Sequence, residues 1–353
     1  MPIDFVFAAG SGHVGRPENS RQRILASAVR RPILLKVTSL AIPSTQYEAV
    51  TEACGLVDRS ERGKLALTGT EAKTFLQGQV SNDIEALTPG TGCYAAFLTP
   101  KGKMLGDLRV LDAGGEILLD TERVALQELF NMIRRFSVGY DVQLHKRTVQ
   151  SGLLSVVGPE AAAVAVVSDL GQAEHWHVAG ELEGVAVRWI RTDLGVDLLC
   201  EAGDTEALAA ALERRGAQPV SETVADCLRI EHGRPRYGVD LDDTVIPQEA
   251  DLNGRAVSFT KGCYVGQETV ARLFYRGKPN RHLRGLRLAK PVETGAEITF
   301  GDRAVGRLGS IAQSPSLGPI ALALVRREAE PGSHVRVGSD EVEAVVVELP
   351  FSG

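Results

Sequence analysis

The chain has 353 residues, a formal net charge of −6 at pH 7 and 44% hydrophobic residues. This length predicts two or three globular domains, and no apolar run reaches the about 18 residues that a membrane-spanning helix requires. The acidic balance argues against a general nucleic-acid-binding protein, which usually has a strongly basic surface. The five cysteines form no CxxC pair and therefore predict a reducing, cytoplasmic location instead of a disulfide framework.

Residues 1–43 differ in charge from the rest of the chain, because they contain six basic and two acidic side chains. Gly10–Gly15 fits the GxGxxG pattern of dinucleotide sites, but Pro17 follows closely and no acid ends the next apolar run, so we expect no nucleotide site. Arg and Ser with few acids are typical of a targeting peptide, and a wrongly assigned upstream start codon would look the same. We predict that residues 1–43 are an extension outside the fold.

Residues 44–150 predict a mixed α/β module. The capping box Thr45–Glu48 begins a helix, and Lys64–Thr68 has the composition of a strand. Ala95–Leu98 and Met104–Leu111 predict two paired strands joined by a turn. A later helix is indicated by the spacing of its apolar residues, Leu126, Leu129, Phe130, Ile133 and Phe136.

Residues 151–220 predict a second, smaller α+β module, because strands and helices follow one another in the order βαββα. After Gly285 the pattern changes to short apolar runs separated by Gly or Pro every ~8–12 residues. The region from 281 to 353 is therefore predicted to form a small β-barrel or sandwich.

Ser221–His232 predicts a helix with Val224 and Cys227 on its apolar face, and Glu231 falls on that same face. A carboxylate in this position needs a partner, because an unpaired buried charge is costly. It could accept hydrogen bonds from a planar ligand edge with adjacent N–H donors, such as a pterin ring. The alternative is an ion pair with one of the neighbouring arginines, Arg229, Arg234 or Arg236.

A second stretch with chemical potential is Lys261–Glu268, with the sequence KGCYVGQE. Its two glycines allow tight turns or the close approach of a ligand. The Lys261 ammonium is two residues from Cys263 and would favour the reactive thiolate, while Gln267 and Glu268 add a neutral and an anionic acceptor. The alternative is a β-turn with an inert thiol.

The Lys261–Glu268 stretch resembles the signature of the YgfZ-type folate-binding proteins, which belong to the superfamily of the glycine-cleavage T-protein, an aminomethyltransferase. The resemblance covers roughly residues 44–350. It is also carried by these stretches: Phe75–Asp83, Leu98–Asp107, Leu228–Glu231, Tyr237–Gly238, Pro247–Glu249, Gly306–Pro315 and Ile320–Leu324.

The resemblance implies an α+β fold, a three-lobed T-protein-like cloverleaf with a ferredoxin-like module and a C-terminal β-barrel around a funnel for tetrahydrofolate. Residues 44–150, completed by 221–280, would form the folate-binding module. Residues 151–220 would form the ferredoxin-like module, and 281–353 the barrel.

The resemblance also implies roles for individual residues. Glu231 matches a pterin-binding Glu of T-proteins, and Asp107 matches one of two adjacent acids near the folate N10, the other being replaced by Gly106. The other implied folate-binding residues are Tyr237, Glu249, Lys261, Tyr264, Gln267, Glu268 and Arg272.

We expect no metal site, because His175 and His177 have HxH spacing but no third ligand in view.

Cys263 and Tyr264 stand where T-proteins usually carry an Asp-Phe-type pair, whereas YgfZ-type proteins carry the Cys. Members of that branch assist the assembly or repair of iron–sulfur clusters in a folate-linked way. The resemblance therefore implies a tetrahydrofolate-binding accessory protein with Cys263 as its functional thiol. One thiolate cannot hold a cluster that takes about four ligands, so we expect transient contact with client proteins or the assembly machinery. We also expect a monomer.

Two other functions remain open from the sequence. One is a folate-dependent aminomethyl- or methyltransferase in which Asp107 takes part in one-carbon transfer. The other is a non-catalytic module that binds RNA or a partner through residues 269–292, which hold seven basic residues and no acid. The same basic run could instead bind a folate polyglutamate tail. A third interpretation is a strand face exposed to solvent.

Overall fold

The structure, a computed structural model, describes residues 42–167 and 169–352. The predicted N-terminal extension, residues 1–43, lies outside the described residues except for its last two positions. Among the described residues, no helix is long and apolar enough to cross a membrane.

The first part of the described chain contains a five-stranded antiparallel sheet. In chain order, the elements of residues 42–146 are α1 (Ser44–Glu52), β1 (Gly55–Asp58), β2 (Gly63–Thr68), α2 (Ala72–Gln77), β3 (Gly92–Leu98), β4 (Met104–Asp112), β5 (Ile117–Thr121), α3 (Leu126–Phe136) and β6 (Gln143–Lys146). Five of these strands pair in the order β3-β4-β5-β2-β6. Phe75 of α2 and Ile133 of α3 are fully buried in the core that the sheet shares with these helices.

The second sheet has six strands and includes one from the preceding segment. Residues 147–231 form β7 (Ser151–Val157), α4 (Ala161–Val164), β8 (His177–Leu182), β9 (Val185–Arg191), β10 (Gly195–Glu201), α5 (Thr205–Arg214), β11 (Gln218–Pro219) and α6 (Glu222–Glu231). The strand order is β11-β1-β7-β10-β9-β8. The structure thus differs from the sequence prediction in two ways. Strand β1 joins this sheet although it lies outside residues 151–220, and the sheet contains β8, a strand that the predicted βαββα order lacks.

The last part of the described chain is a closed barrel. Residues 232–352 form α7 (Asn253–Ala256), α8 (Gln267–Arg276), β12 (Arg281–Leu288), β13 (Glu297–Phe300), β14 (Arg303–Ser314), β15 (Gly318–Arg326), β16 (His334–Val337) and β17 (Val342–Val347). The barrel order is β12-β15-β14-β13-β16-β17. A mixed α/β fold with a C-terminal β-barrel, the class predicted from the sequence, is therefore confirmed.

Helix α6 packs on two sides and so joins the barrel to the six-stranded sheet. Cys227 and Ile230 pack against barrel residues such as Leu322. On another side of the helix, Val224 and Leu228 pack with residues of α1 and β7. These contacts fix the course of the chain that follows α6, which lines the cavity described next.

Candidate functional site

A cavity of about 170 Å³ lies between the two sheets and the chain that follows α6. It is smaller than the ~300–1,000 Å³ pockets that enclose a whole drug-sized ligand, so its size suits one end of a longer molecule. The aromatic and charged side chains that line this central cavity include Tyr94, Asp107, Glu174, His175, Tyr237 and Arg255.

Asp107 is a nearly buried carboxyl group in the wall of the central cavity. It lies on β4 opposite Ala96, and its Oδ2 accepts a hydrogen bond from the Tyr94 hydroxyl at 2.7 Å. Burial raises the pKa of Asp107 to about 6, although the Tyr94 hydrogen bond acts in the opposite direction. The group is therefore poised to hold or release a proton near neutral pH.

Arg255 and Glu174 form a charged pair beside Tyr94. The Arg255 guanidinium lies over the Tyr94 ring, 5.2 Å from its centroid, and its Nη2 donates to Glu174 Oε1 at 2.5 Å. A guanidinium held both by a carboxylate and by an aromatic face has little freedom to move. This pair gives the central cavity a fixed polar edge.

Buried ion pairs form part of the wall of the central cavity. Arg109 on β4 donates to Asp120 on β5 at 2.5 Å and to Asp197 on β10 at 2.6 Å, so it links the two sheets. Burial would raise the pKa of Asp120, but the Arg109 and Arg62 guanidinium groups lower it to about 2. These charged groups are paired with one another and are suited to holding the cavity wall in place.

Tyr237 also lines the central cavity and packs against the apolar cores on either side. Burial, reinforced by the nearby carboxylates of Asp243 and Asp242, raises the pKa of Tyr237 to about 12. Its hydroxyl therefore stays protonated at physiological pH. Tyr237 and Asp107 are the two residues predicted from the sequence that line this cavity.

Glu231 does not line the central cavity. Its carboxylate accepts hydrogen bonds from the Tyr47 hydroxyl at 2.9 Å and the Ser314 hydroxyl at 2.5 Å, and from the Cys227 thiol at 3.4 Å. These neutral donors replace the ion pair that was the structural alternative. Glu231 lines a second depression, which shares the turn at 192–194 with the central cavity. A pterin held by Glu231 would lie in that depression and not against Asp107.

Three of the sequence stretches that carry the resemblance meet at the loop before α8, which we call the thiol loop (residues 261–266). The Lys261 ammonium donates to the backbone carbonyls of Gln77, Val80 and Asn82 at 2.6, 2.8 and 2.6 Å. Gly266 has a φ of +88°, and a Cβ there would lie 2.6 Å from the Thr99 carbonyl oxygen. The thiol loop is thus fixed both to the segment after α2 and to the β3–β4 turn.

Cys263 is exposed on the thiol loop. The sequence predicts that the Lys261 ammonium activates this thiol. In the structure, that ammonium is buried and donates its hydrogen bonds to three backbone carbonyls. Burial lowers the pKa of Lys261 to about 8. Burial raises the pKa of the Cys93 thiol to about 12, although the charge of the Lys261 ammonium acts in the opposite direction.

Of the remaining predicted ligand residues, none lines the central cavity. Tyr264 is buried in the core beneath the thiol loop, and burial raises its pKa to about 12. Glu249 pairs with Arg281 at the start of the barrel, with Arg281 Nη2 2.9 Å from Glu249 Oε2. Three further predicted ligand residues lie on α8. Glu268 and Arg272 are exposed, and Gln267, the first residue of the helix, is partly buried.

The sequence did not identify Tyr94, His175 or Arg255 as members of this cavity. Tyr94 could have been found from the predicted pairing of β3 with β4. Tyr94 lies opposite Arg109, which is two positions from Asp107, so Tyr94 and Asp107 are on the same face of the sheet. His175 was noticed only as half of an HxH pair. Arg255 lies in a short helix whose position depends on tertiary packing.

Comparison with known proteins agrees with this architecture. Residues 38–261 match the GCVT N-terminal domain, and residues 281–352 match the glycine cleavage T-protein C-terminal barrel domain. A putative chloroplastic transferase of Arabidopsis thaliana is 29% identical over 84% of this chain and 71% of that protein. The aminomethyltransferase of Bacillus subtilis is 28% identical over 87% of this chain and 90% of that enzyme.

A solved structure is similar over nearly the same length. The crystal structure of glycine cleavage system aminomethyltransferase T from Bartonella henselae has a TM-score of 0.78 with this chain, at 23% sequence identity. The similarity covers 87% of this chain and 89% of that one. At this identity the comparison establishes a shared fold.

Proposed function

Because the chain belongs to the glycine cleavage T-protein family, we propose that it binds tetrahydrofolate and uses the Cys263 thiol to assist assembly or repair of iron–sulfur clusters in client enzymes. The observation that carries this proposal is the separation of two features. A polar cavity of restricted size lies inside the fold, and an exposed thiol lies on a loop that is fixed from within.

The central cavity supports binding of the pterin end of the folate. A pterin is a flat bicyclic ring whose edge carries an amino group, a ring N–H and a carbonyl. Tyr94 and Tyr237 offer aromatic surface for the ring, and Asp107 offers a carboxyl group for its donors. The benzoyl and glutamate parts of the folate would extend outward, because the cavity is too small to enclose the whole molecule.

The thiol loop supports contact with a client protein. All five cysteines lie among the described residues, and Cys263 is the one that is exposed. Helix α8 begins four residues later and presents Phe274 and Tyr275, which are 45% and 67% exposed. Exposed aromatic side chains beside basic residues are typical of protein-binding surfaces. A single thiolate on such a surface suits transient transfer or repair rather than stable cluster binding.

Complementation tests this proposal. A strain that lacks its own YgfZ-type factor would receive the wild-type chain or Cys263→Ala, and the activity of an iron–sulfur enzyme would be measured. We expect restoration by the wild type and at least a tenfold smaller effect of the variant. Cys200→Ala, which removes a buried thiol, serves as the matched control and should restore activity. Full restoration by Cys263→Ala would contradict the role of the thiol.

A second function is favoured by Asp107. A buried carboxyl group with a pKa of about 6 is suited to general acid–base catalysis near neutral pH, which a folate-dependent aminomethyl- or methyltransferase requires. This alternative predicts measurable one-carbon transfer to or from tetrahydrofolate by the wild type, with a loss of at least about 100-fold in Asp107→Asn. Absence of transfer by the wild type with amine and protein-bound donors would contradict it.

A further inference from the structure

His175 is a buried side chain whose polar atoms have no partner. It lines the central cavity and is 5% exposed. Neither Nδ1 nor Nε2 makes a hydrogen bond within the described residues. Glu174 Oε1 is 3.4 Å from Nε2, but it is placed to accept from Arg255 and not from the ring. A buried polar group without a partner is destabilising, so a ligand that hydrogen-bonds to one of these nitrogens would remove this cost.

The backbone holds His175 firmly in this unfavourable position. Its φ of +70° is left-handed, a conformation that non-glycine residues adopt rarely and chiefly at functional sites. The His175 amide donates to the Arg191 carbonyl at 2.9 Å. A Cβ on Gly92 of β3 would lie 2.8 Å from the His175 carbonyl oxygen, so the glycine is needed for the close approach. Both contacts fix the position of the His175 backbone.

The surroundings keep the His175 ring uncharged. Burial, together with the guanidinium groups of Arg109 and Arg255, lowers its pKa to about 3. A neutral imidazole has one N–H donor and one acceptor nitrogen. Glu174 Oε1 is the carboxylate oxygen near Nε2, but neither ring nitrogen makes a hydrogen bond within the described residues, so no hydrogen bond holds the imidazole in one tautomer.

A metal ion does not account for the free nitrogens. No group of three or more His, Cys, Asp or Glu side chains in the described part of the chain is placed to hold one. The Tyr94 ring lies nearby, with its centroid 6.4 Å from that of His175. The imidazole thus borders the same space as Tyr94 and Asp107, where a flat heteroaromatic ligand would lie.

We propose that His175 contacts the ligand of the central cavity through a ring nitrogen, and that the ligand selects the tautomer of the imidazole. The ligand class is a flat heteroaromatic ring with a hydrogen-bond donor and acceptor on its edge, and the inference rests on the proposed function in taking this ring to be the pterin of tetrahydrofolate. Because either tautomer is available without a change of charge, His175 can face a donor or an acceptor of the ring.

Nitrogen NMR of the full chain tests the contact directly. The protein is labelled with ¹⁵N-histidine and titrated anaerobically with tetrahydrofolate. We expect the His175 ring nitrogens to shift from the averaged values of two tautomers to the distinct values of one. His334, which is exposed on the barrel, provides an internal signal that should not move.

Equilibrium dialysis of His175→Asn tests the contribution to affinity. Asn tolerates the left-handed backbone but lacks the more distant ring nitrogen, so we expect tetrahydrofolate to bind about tenfold more weakly, which corresponds to about 1.4 kcal/mol. His334→Asn is the matched control and should bind like the wild type.

The outcomes separate this inference from the proposed function. If the wild type does not bind tetrahydrofolate, the folate proposal and this inference fall together. If the wild type binds but the His175 nitrogens stay unshifted, or a folded His175→Asn binds equally tightly, the inference on His175 falls while folate binding stands. If His175→Asn does not fold, the NMR result decides alone.

Discussion

At the wall of the central cavity, the buried carboxyl group of Asp107 combines a raised pKa with a hydrogen bond from Tyr94. An asparagine at this position would keep an oxygen that can accept the Tyr94 hydrogen bond, but it would have no charge to bury. The substitution therefore isolates the cost of ionising Asp107 inside the fold.

We expect the stability of Asp107→Asn to depend on pH relative to the wild type. The folded state raises the pKa of Asp107 from 3.8 to about 6, so the stability that this group contributes is full below pH 3.8 and is lost as the pH rises through about 6. Urea unfolding should show Asn more stable than Asp by about 3 kcal/mol at pH 8, with most of the difference gone near pH 4. A difference that does not change with pH would contradict the raised pKa.

Individual residues also show why only part of the site could be predicted from the sequence. Asp107 and Tyr237 could be identified because each lies within a short stretch that carries the resemblance. The direction of Lys261 could not, because it depends on three carbonyl groups about 180 positions earlier in the chain. His175 could not either, since only the folded chain shows that its nitrogens lack partners.

The thiol loop is held by the turn of the β3–β4 hairpin, and Gly266 is the point of contact. Its left-handed φ and the 2.6 Å from a Cβ to the Thr99 carbonyl oxygen leave no room for a side chain. A Cβ on Gly262, in the same loop, would have no neighbouring atom within 4 Å, and the φ of Gly262 is not left-handed. The two glycines therefore form a matched pair for substitution.

We expect Gly266→Ala to lower the free energy of unfolding by about 2–3 kcal/mol, because strain at positive φ adds to a backbone clash. Gly262→Ala should change it by less than about 0.5 kcal/mol. Chemical denaturation of both variants measures these values. Equal effects of the two substitutions would mean that the β3–β4 turn does not hold the thiol loop.

Elements with a local signal were predictable from the sequence, whereas elements defined by distant pairing were not. Helix α6 and the strands of the barrel follow from apolar spacing within each segment. Strand β1 has four residues and pairs with β7 and β11, about 95 and 160 positions later. No local pattern indicates such partners, so the six-stranded sheet could not be assigned its first strand.

Over the whole molecule, buried contacts connect the three sheets into one support for the central cavity. Arg109 links the five-stranded sheet to the six-stranded sheet, α6 packs against the barrel, and Glu249 pairs with Arg281 at the first barrel strand. The fold class was predictable because its modules have distinct periodicities. The cavity was not, because its lining comes from segments spread from Arg59 to Arg255.

We propose that tetrahydrofolate binds in the central cavity while Cys263 acts outside it. Anaerobic equilibrium dialysis of the full chain with tetrahydrofolate, at a fixed pH of 7.5, tests this most directly. We expect saturable binding to one site per chain, at least tenfold weaker binding by Tyr94→Leu, and unchanged binding by Cys263→Ala. Absence of saturable binding, or binding that is lost in Cys263→Ala and kept in Tyr94→Leu, would contradict it.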